Sequence, residues 1–237
     1  MSSPSFILGA HAPKHPVHLN LKMANRHGLI AGATGTGKTV TLQVLAEEFS
    51  RAGVPVFVTD VKGDLSGLSV TGKPHEKIDE RVNYIGLQDY APGAMPHNFW
   101  DLYGEQGLPL RADLESVGPL LLARLLGSNE IQSEIVQIAF RIARDHKWPL
   151  VNCQDFRAVL GYIQENRKEL SAQYGNLSSS SIGAILRDVM ALEDAGLETV
   201  FGRPSLSLED LLTTNADGQG VVSILDGRKL IQDGRVY

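Results

Sequence analysis

The chain has 237 residues, 22 Lys+Arg against 27 Asp+Glu for a net charge of -5, and 43% hydrophobic residues. This suits one large domain or a domain with an insertion, and the acidic balance excludes a surface that is basic all over, leaving room only for a local basic strip facing nucleic acid. The single cysteine, Cys153, excludes an internal disulfide and a cysteine-rich zinc site, and no apolar run is long enough to span a bilayer, so the expected compartment is the cytoplasm, with no membrane partner.

In chain order, residues 17–21 alternate in polarity and predict an early strand. Residues 27–31 form a short apolar run before glycines and predict a buried strand. Over residues 40–51, Val40, Val44, Leu45 and Phe49 recur at helical spacing, and Gly53 stops the pattern. Residues 54–59 read Val-Pro-Val-Phe-Val-Thr, the composition of a parallel core strand. Strand, glycine-rich loop, helix and strand make one βαβ unit. Residues 82–86 predict another strand, and residues 91–98, with two prolines and a glycine, predict a loop.

Helical patterning then covers residues 114–126, 131–145, 154–170 and 180–195, with Ser128 and Ser178 as N-caps and Gly127, Gly175 and Gly196 as stops. Residues 220–225 are apolar and β-branched and predict a strand returning to the sheet. The expected fold class is therefore α/β, a P-loop NTPase core with a parallel sheet and an inserted, mostly helical subdomain. The core is assigned to residues 1–103 and 216–237, and the insertion to residues 104–215.

The chemistry is concentrated at Gly32, Ala33, Thr34, Gly35, Thr36, Gly37, Lys38 and Thr39, which fit G-x-x-x-x-G-K-[ST] without exception. Glycines let backbone N–H groups turn inward around phosphate oxygens, and the helix that follows points its positive end at the same anion. In this pattern the lysine, Lys38, reaches the β- and γ-phosphates, the Thr39 hydroxyl ligates Mg²⁺, and Val40 continues the cradle. The expected cofactors are ATP and Mg²⁺. A dinucleotide-binding turn needs a third glycine where Val40 stands and has no use for Lys38 beside Thr39. Asp64-Leu-Ser-Gly67 fits a D-x-x-G switch pattern, but no N-K-x-D guanine reader occurs in the chain.

Acids are expected beside the metal. Asp60 closes the strand next to the P-loop, in Asp60-Val-Lys-Gly-Asp64. Carboxyl ends of parallel strands line the ligand crevice, so Asp60 is a candidate catalytic residue with Lys38, and Asp60 and Asp64 are candidate metal ligands; a turn-forming aspartate is the alternative for Asp60. The late run Val-Val-Ser-Ile-Leu ends in Asp226 followed by Gly227, without the Asp-Glu pair of hydrolysing motors. It reads first as a core strand ending in a turn. The missing pair gives the expectation that the chain is a fragment of a larger motor-type ATPase, able to bind ATP without turning it over.

These residues resemble the HerA–FtsK superfamily, whose members place Asp-Pro-(Lys/His)-Gly-(Asp/Glu) at this strand end; here Val61 replaces the proline. The chain looks closer still to a bacterial family of HerA-like ATPases, through residues 23–39, Phe-Trp-Asp-Leu-Tyr-Gly-Glu-Gln at 99–106 and Tyr-Gly-Asn-Leu-Ser-Ser-Ser-Ser-Ile-Gly at 174–183. The resemblance implies a RecA-like core, ATP with Mg²⁺, double-stranded DNA as a partner and a homo-oligomeric, hexameric ring. It carries Lys38 and Thr39 as phosphate and metal residues, and Asp60 and Asp64 as acids near the site. An ATPase acting on a protein partner is the alternative, and the acidic charge is compatible with it.

Overall fold

The computed structural model describes residues 5–232, which fall in two compact units: residues 5–99 with 208–225, and residues 100–207 with 226–232.

The first unit opens with an antiparallel hairpin of β1 (Ser5–Ala12) and β2 (His15–Asn20). The strand expected at residues 17–21 is the second arm of this hairpin. The first arm, Ser-Phe-Ile-Leu-Gly-Ala-His-Ala, lacks the alternation that reveals a strand. α1 (Lys38–Arg51) follows the P-loop, β3 (Val56–Asp60) returns along it, and α2 (Glu76–Ile85) comes next. Residues 82–86, expected as a strand, are the last turn of α2. Here a side-chain nitrogen of His75 accepts from Lys77 N–H at the helix start, and Gly86 at φ 83° closes its end. Residues 27–31, expected as a buried strand, are irregular, and Leu29 is 91% exposed. Apolar residues make a strand only beside another strand, and among the described residues none pairs with this run.

β4 (His97–Asp101), β5 (Leu108–Pro109) and β6 (Val222–Asp226) complete a four-stranded parallel sheet in the order β3-β6-β4-β5. β6 enters between its neighbours through Val56 N–H to Val221 O at 3.0 Å and Val222 N–H to Pro96 O at 2.8 Å. Just before it, a Cβ on Gly220 would lie 2.1 Å from the Val54 carbonyl oxygen, so only glycine passes there. The buried Ser50 hydroxyl donates to Gly220 O at 2.6 Å and Gly220 N–H donates to Ser50 O at 2.8 Å, tying the last turn of α1 to the start of β6. Ala46, Leu68, Met95, Val222 and Ile224 form the core of this unit, with Val56, Val58 and Phe99 packed on it. A short helix, α8 (Leu208–Leu211), precedes β6.

The second unit is a helical bundle of α3 (Leu114–Leu125), α4 (Glu130–Asp145), α5 (Cys153–Glu165), α6 (Arg167–Tyr174) and α7 (Ser179–Asp194). Its core centres on Phe156, Leu160, Ile163, Ile182 and Ile185, each with 0% exposure. Ser178 caps α7 as expected, its hydroxyl accepting from Ser181 N–H. α4 is capped one residue later than expected, by a reciprocal box of Asn129 and Gln132. The helix expected over residues 154–170 is two helices, broken at Asn166, whose φ -101° and ψ 18° are outside the helical well and whose side-chain amide donates to Tyr162 O. α3 is kinked at Gly118, with φ 76° and ψ 164°. Pro119 disfavours a helical conformation in the residue before it, and glycine alone takes the resulting geometry freely. No helix among the described residues is long and apolar enough to cross a membrane.

Candidate phosphate-binding site

The P-loop residues form an exposed turn that runs directly into α1. Gly35 and Gly37 sit at φ 82° and 92°, where a side chain is strained. Gly37 is the N-cap of α1 and no side chain caps the helix, so the first-turn N–H groups are left for another acceptor. An uncapped helix start of this kind is an anion site by its backbone alone. The Lys38 ammonium lies inside the loop and donates to Gly32 O and Ala33 O, both at 2.8 Å. The Thr36 hydroxyl donates to Ala33 O at 2.8 Å, and a Cβ on Gly32 would stand 2.5 Å from that hydroxyl. Lysine and threonine thus hold the loop closed on its own carbonyls, and a polyphosphate offers Lys38 charged acceptors in their place.

Asp64 faces this turn. The Thr39 hydroxyl donates to Asp64 Oδ2 at 2.9 Å, and the Gln43 side-chain amide donates to Asp64 O at 3.0 Å. A hydroxyl and a carboxylate in contact at the start of the P-loop helix are a hard oxygen donor pair of the kind Mg²⁺ takes. Asp60 is placed differently. It is 6% exposed and accepts from four backbone amides: Lys62 at 3.2 Å, Gly63 at 2.7 Å and Asp64 at 3.2 Å on Oδ1, and Leu65 at 2.9 Å on Oδ2. Both oxygens are committed to the loop that carries Asp64. The structure therefore puts Asp64, of the two candidate acids, against Thr39, while Asp60 shapes the loop behind it. Gln43 is a contact that motif reading did not single out. Gln43 could have been found from its place on the α1 face that carries Thr39, one turn on.

In the second unit Asp226 and Asp101 also close turns. Asp226 accepts from the Arg228 backbone N–H at 3.0 Å and from its guanidinium, Nε lying 3.0 Å from Oδ1. The guanidinium holds the Asp226 carboxyl below the usual carboxylate range. Burial pushes Asp101 up, but N–H donors from Gln106, Tyr103 and Glu105 outweigh it and hold it low. Arg228 also donates to Gln106, and Lys229 is paired with Glu105 beside the Tyr103 ring. Trp100, with 7% exposure, is core rather than a stacking surface.

Comparison with curated proteins returned no match. A family model described as helicase HerA-like C-terminal matches residues 6–237, covering the P-loop, the helical bundle and the returning strand alike. With nearly every residue inside that match and a P-loop on a parallel α/β sheet, the chain belongs to the helicase HerA-like C-terminal family.

Proposed function

We propose that the chain binds ATP with Mg²⁺ at residues 32–40 and serves an ATP-hydrolysing motor that moves double-stranded DNA. The observation that carries the nucleotide half is the uncapped start of α1 behind two left-handed glycines, with Lys38 inside the loop and Thr39 against Asp64. Lys38 leaves the Gly32 and Ala33 carbonyls for phosphate oxygens. The α1 N–H groups carry the remaining negative charge. Thr39 and Asp64 hold the metal, which supplies charge neutralisation on the phosphates. Asp60 keeps the Asp64 loop in register and makes no contact with nucleotide.

The DNA half rests on family membership alone. So does the hexameric ring. The cytoplasm is the compartment this reading requires. The test is ATP hydrolysis by the intact protein with Mg²⁺, with and without linear duplex DNA at one fixed salt concentration, because phosphate contacts make DNA affinity steeply salt-dependent. Stimulation by DNA with loss of turnover in Lys38→Ala is the expected result. Hydrolysis that needs Lys38 and ignores DNA redirects the motor to a protein partner. Turnover in Lys38→Ala equal to wild type removes the nucleotide site itself.

A further inference from the structure

Within the first unit, α1 and α2 do not pack closely along their whole length. A groove of about 480 Å³ runs between them, roofed by the loop that carries Tyr90 and Pro92. Val40 and Val44 of α1 face Ile78 and Val82 of α2 across it. These walls are incompletely covered: Val40 is 60% exposed, Ile78 37% and Tyr90 45%.

We propose that this groove receives the adenine base of the nucleotide, an inference that rests on the P-loop reading above. Continuity is the first argument. Val40, at one end of the groove, directly follows Thr39, and Gln43, also on its wall, is bonded to the backbone of Asp64. A nucleotide with its phosphates on the α1 N-terminus therefore has an open apolar channel beginning at the next residue. Length is the second. Val40 and Glu47, both on the groove, lie seven positions apart on α1, about 10 Å at the helical rise, a span that a ribose and a purine fill.

Chemistry is the third argument. A base is flat and apolar on its faces and polar on its edge, and the groove has that division. Val40, Val44, Ile78 and Val82 offer apolar walls, and Tyr90 offers a ring for a π-face. Glu47 is the acid within it. Burial pushes the Glu47 carboxyl up, against the opposing pull of Arg51. The polar edge of a base meets the polar part of the lining, where Gln43, Lys77 and Arg81 stand with Glu47, whose carboxylate also accepts from Arg51 at 3.4 Å.

Calorimetric titration tests this with two ligands, Mg·ATP and magnesium tripolyphosphate, which has the phosphates and no base. Ile78→Trp narrows the groove, and Tyr90→Ala removes the ring from an exposed loop. The expected result is at least a tenfold loss of ATP affinity in Ile78→Trp, with tripolyphosphate affinity within twofold of wild type. The unchanged tripolyphosphate binding also shows that the variant is folded. Tyr90→Ala gives a smaller loss of the same kind. If both groove variants bind ATP within twofold of wild type while Lys38→Ala weakens both ligands, the base lies elsewhere and the P-loop reading stands. If Lys38→Ala weakens neither ligand, the phosphate site falls and the base site with it.

Discussion

Replacing Asp60 separates a residue that shapes a loop from one that does chemistry. Its carboxylate takes four backbone N–H groups, and the shortest, from Gly63 and Leu65 at 2.7 and 2.9 Å, fall on different oxygens. Asp60→Asn keeps the volume and one oxygen. Whichever way the amide turns, its NH₂ group meets an N–H that had an acceptor. One unsatisfied buried donor costs about 1–3 kcal/mol, so about 2 kcal/mol is expected for Asn. Asp60→Ala loses all four bonds; three of them lie on partly buried amides that water can reach, so the expected cost is about 4 kcal/mol rather than the full sum. With a urea m-value of about 2–3 kcal/mol/M, the Asn variant moves the unfolding midpoint by about 0.7–1 M. Circular dichroism in urea reads this, and hydrogen exchange at Leu65 locates it. If Asp60→Asn abolishes ATP turnover with a midpoint shift below about 0.2 M and Leu65 still protected, Asp60 is a chemical residue and the loop argument is wrong.

Thr39→Val removes the hydroxyl that meets Asp64; the Mg²⁺ concentration for half-maximal ATP binding should rise at least tenfold, read by titrating metal at fixed nucleotide. Gly118→Ala forces a side chain onto φ 76° and ψ 164° with no neighbour within 4 Å of the new Cβ, so it should lower stability by about 1–3 kcal/mol through backbone strain alone, measured by thermal unfolding. Cys153 is 4% exposed, and burial pushes its thiol up to about 11. A chromogenic disulfide reagent at pH 8 should therefore titrate no thiol in the native protein and one in guanidinium chloride. The Asp226 carboxyl is depressed by Arg228, so its contribution to stability is present above the unfolded value near 3.9 and is lost as pH falls through the folded value. Asp226→Asn should flatten the acid limb of an unfolding profile below about pH 4.

The P-loop, α1, β3, β6 and the bundle were legible because each carries a strong local signal: a fixed motif, a helical period, or a β-branched run between turns. What sequence misread depended on partners. Residues 27–31 have strand composition, yet backbone hydrogen bonding needs a neighbour and the described residues supply none. Val-Asn-Tyr-Ile at 82–85 has strand propensity in isolation, but Ile78, Val82 and Ile85 share one helical face, and the His75 cap and Gly86 terminus decide the matter. The break at Asn166 carries no proline or glycine and left no signal in the periodicity. The groove between α1 and α2 was invisible for another reason: its α1 wall reads as an ordinary helical core stripe, part of its α2 wall reads as a strand, and only packing shows that the two helices are left apart.

The acids teach the same lesson more sharply. An apolar strand ending in aspartate reads as a metal ligand or as a turn, and composition does not choose. Asp60-x-x-Gly63 and Asp101-x-x-Gly104 each place a glycine three residues on, at φ 79° and 66°. That left-handed residue turns the chain back, so that the following N–H groups point at the carboxylate: four of them reach Asp60 and three reach Asp101. Asp64-x-x-Gly67 has the same letters, but Gly67 has no left-handed φ, and the Asp64 carboxylate goes to Thr39 instead. The Asp64 carboxylate thus escapes capture by its own loop because the glycine three residues on stays out of the left-handed region. This separates two acids four residues apart: Asp60 fixes the loop from which Asp64 meets Thr39, so substituting either is expected to impair the proposed phosphate site for different reasons.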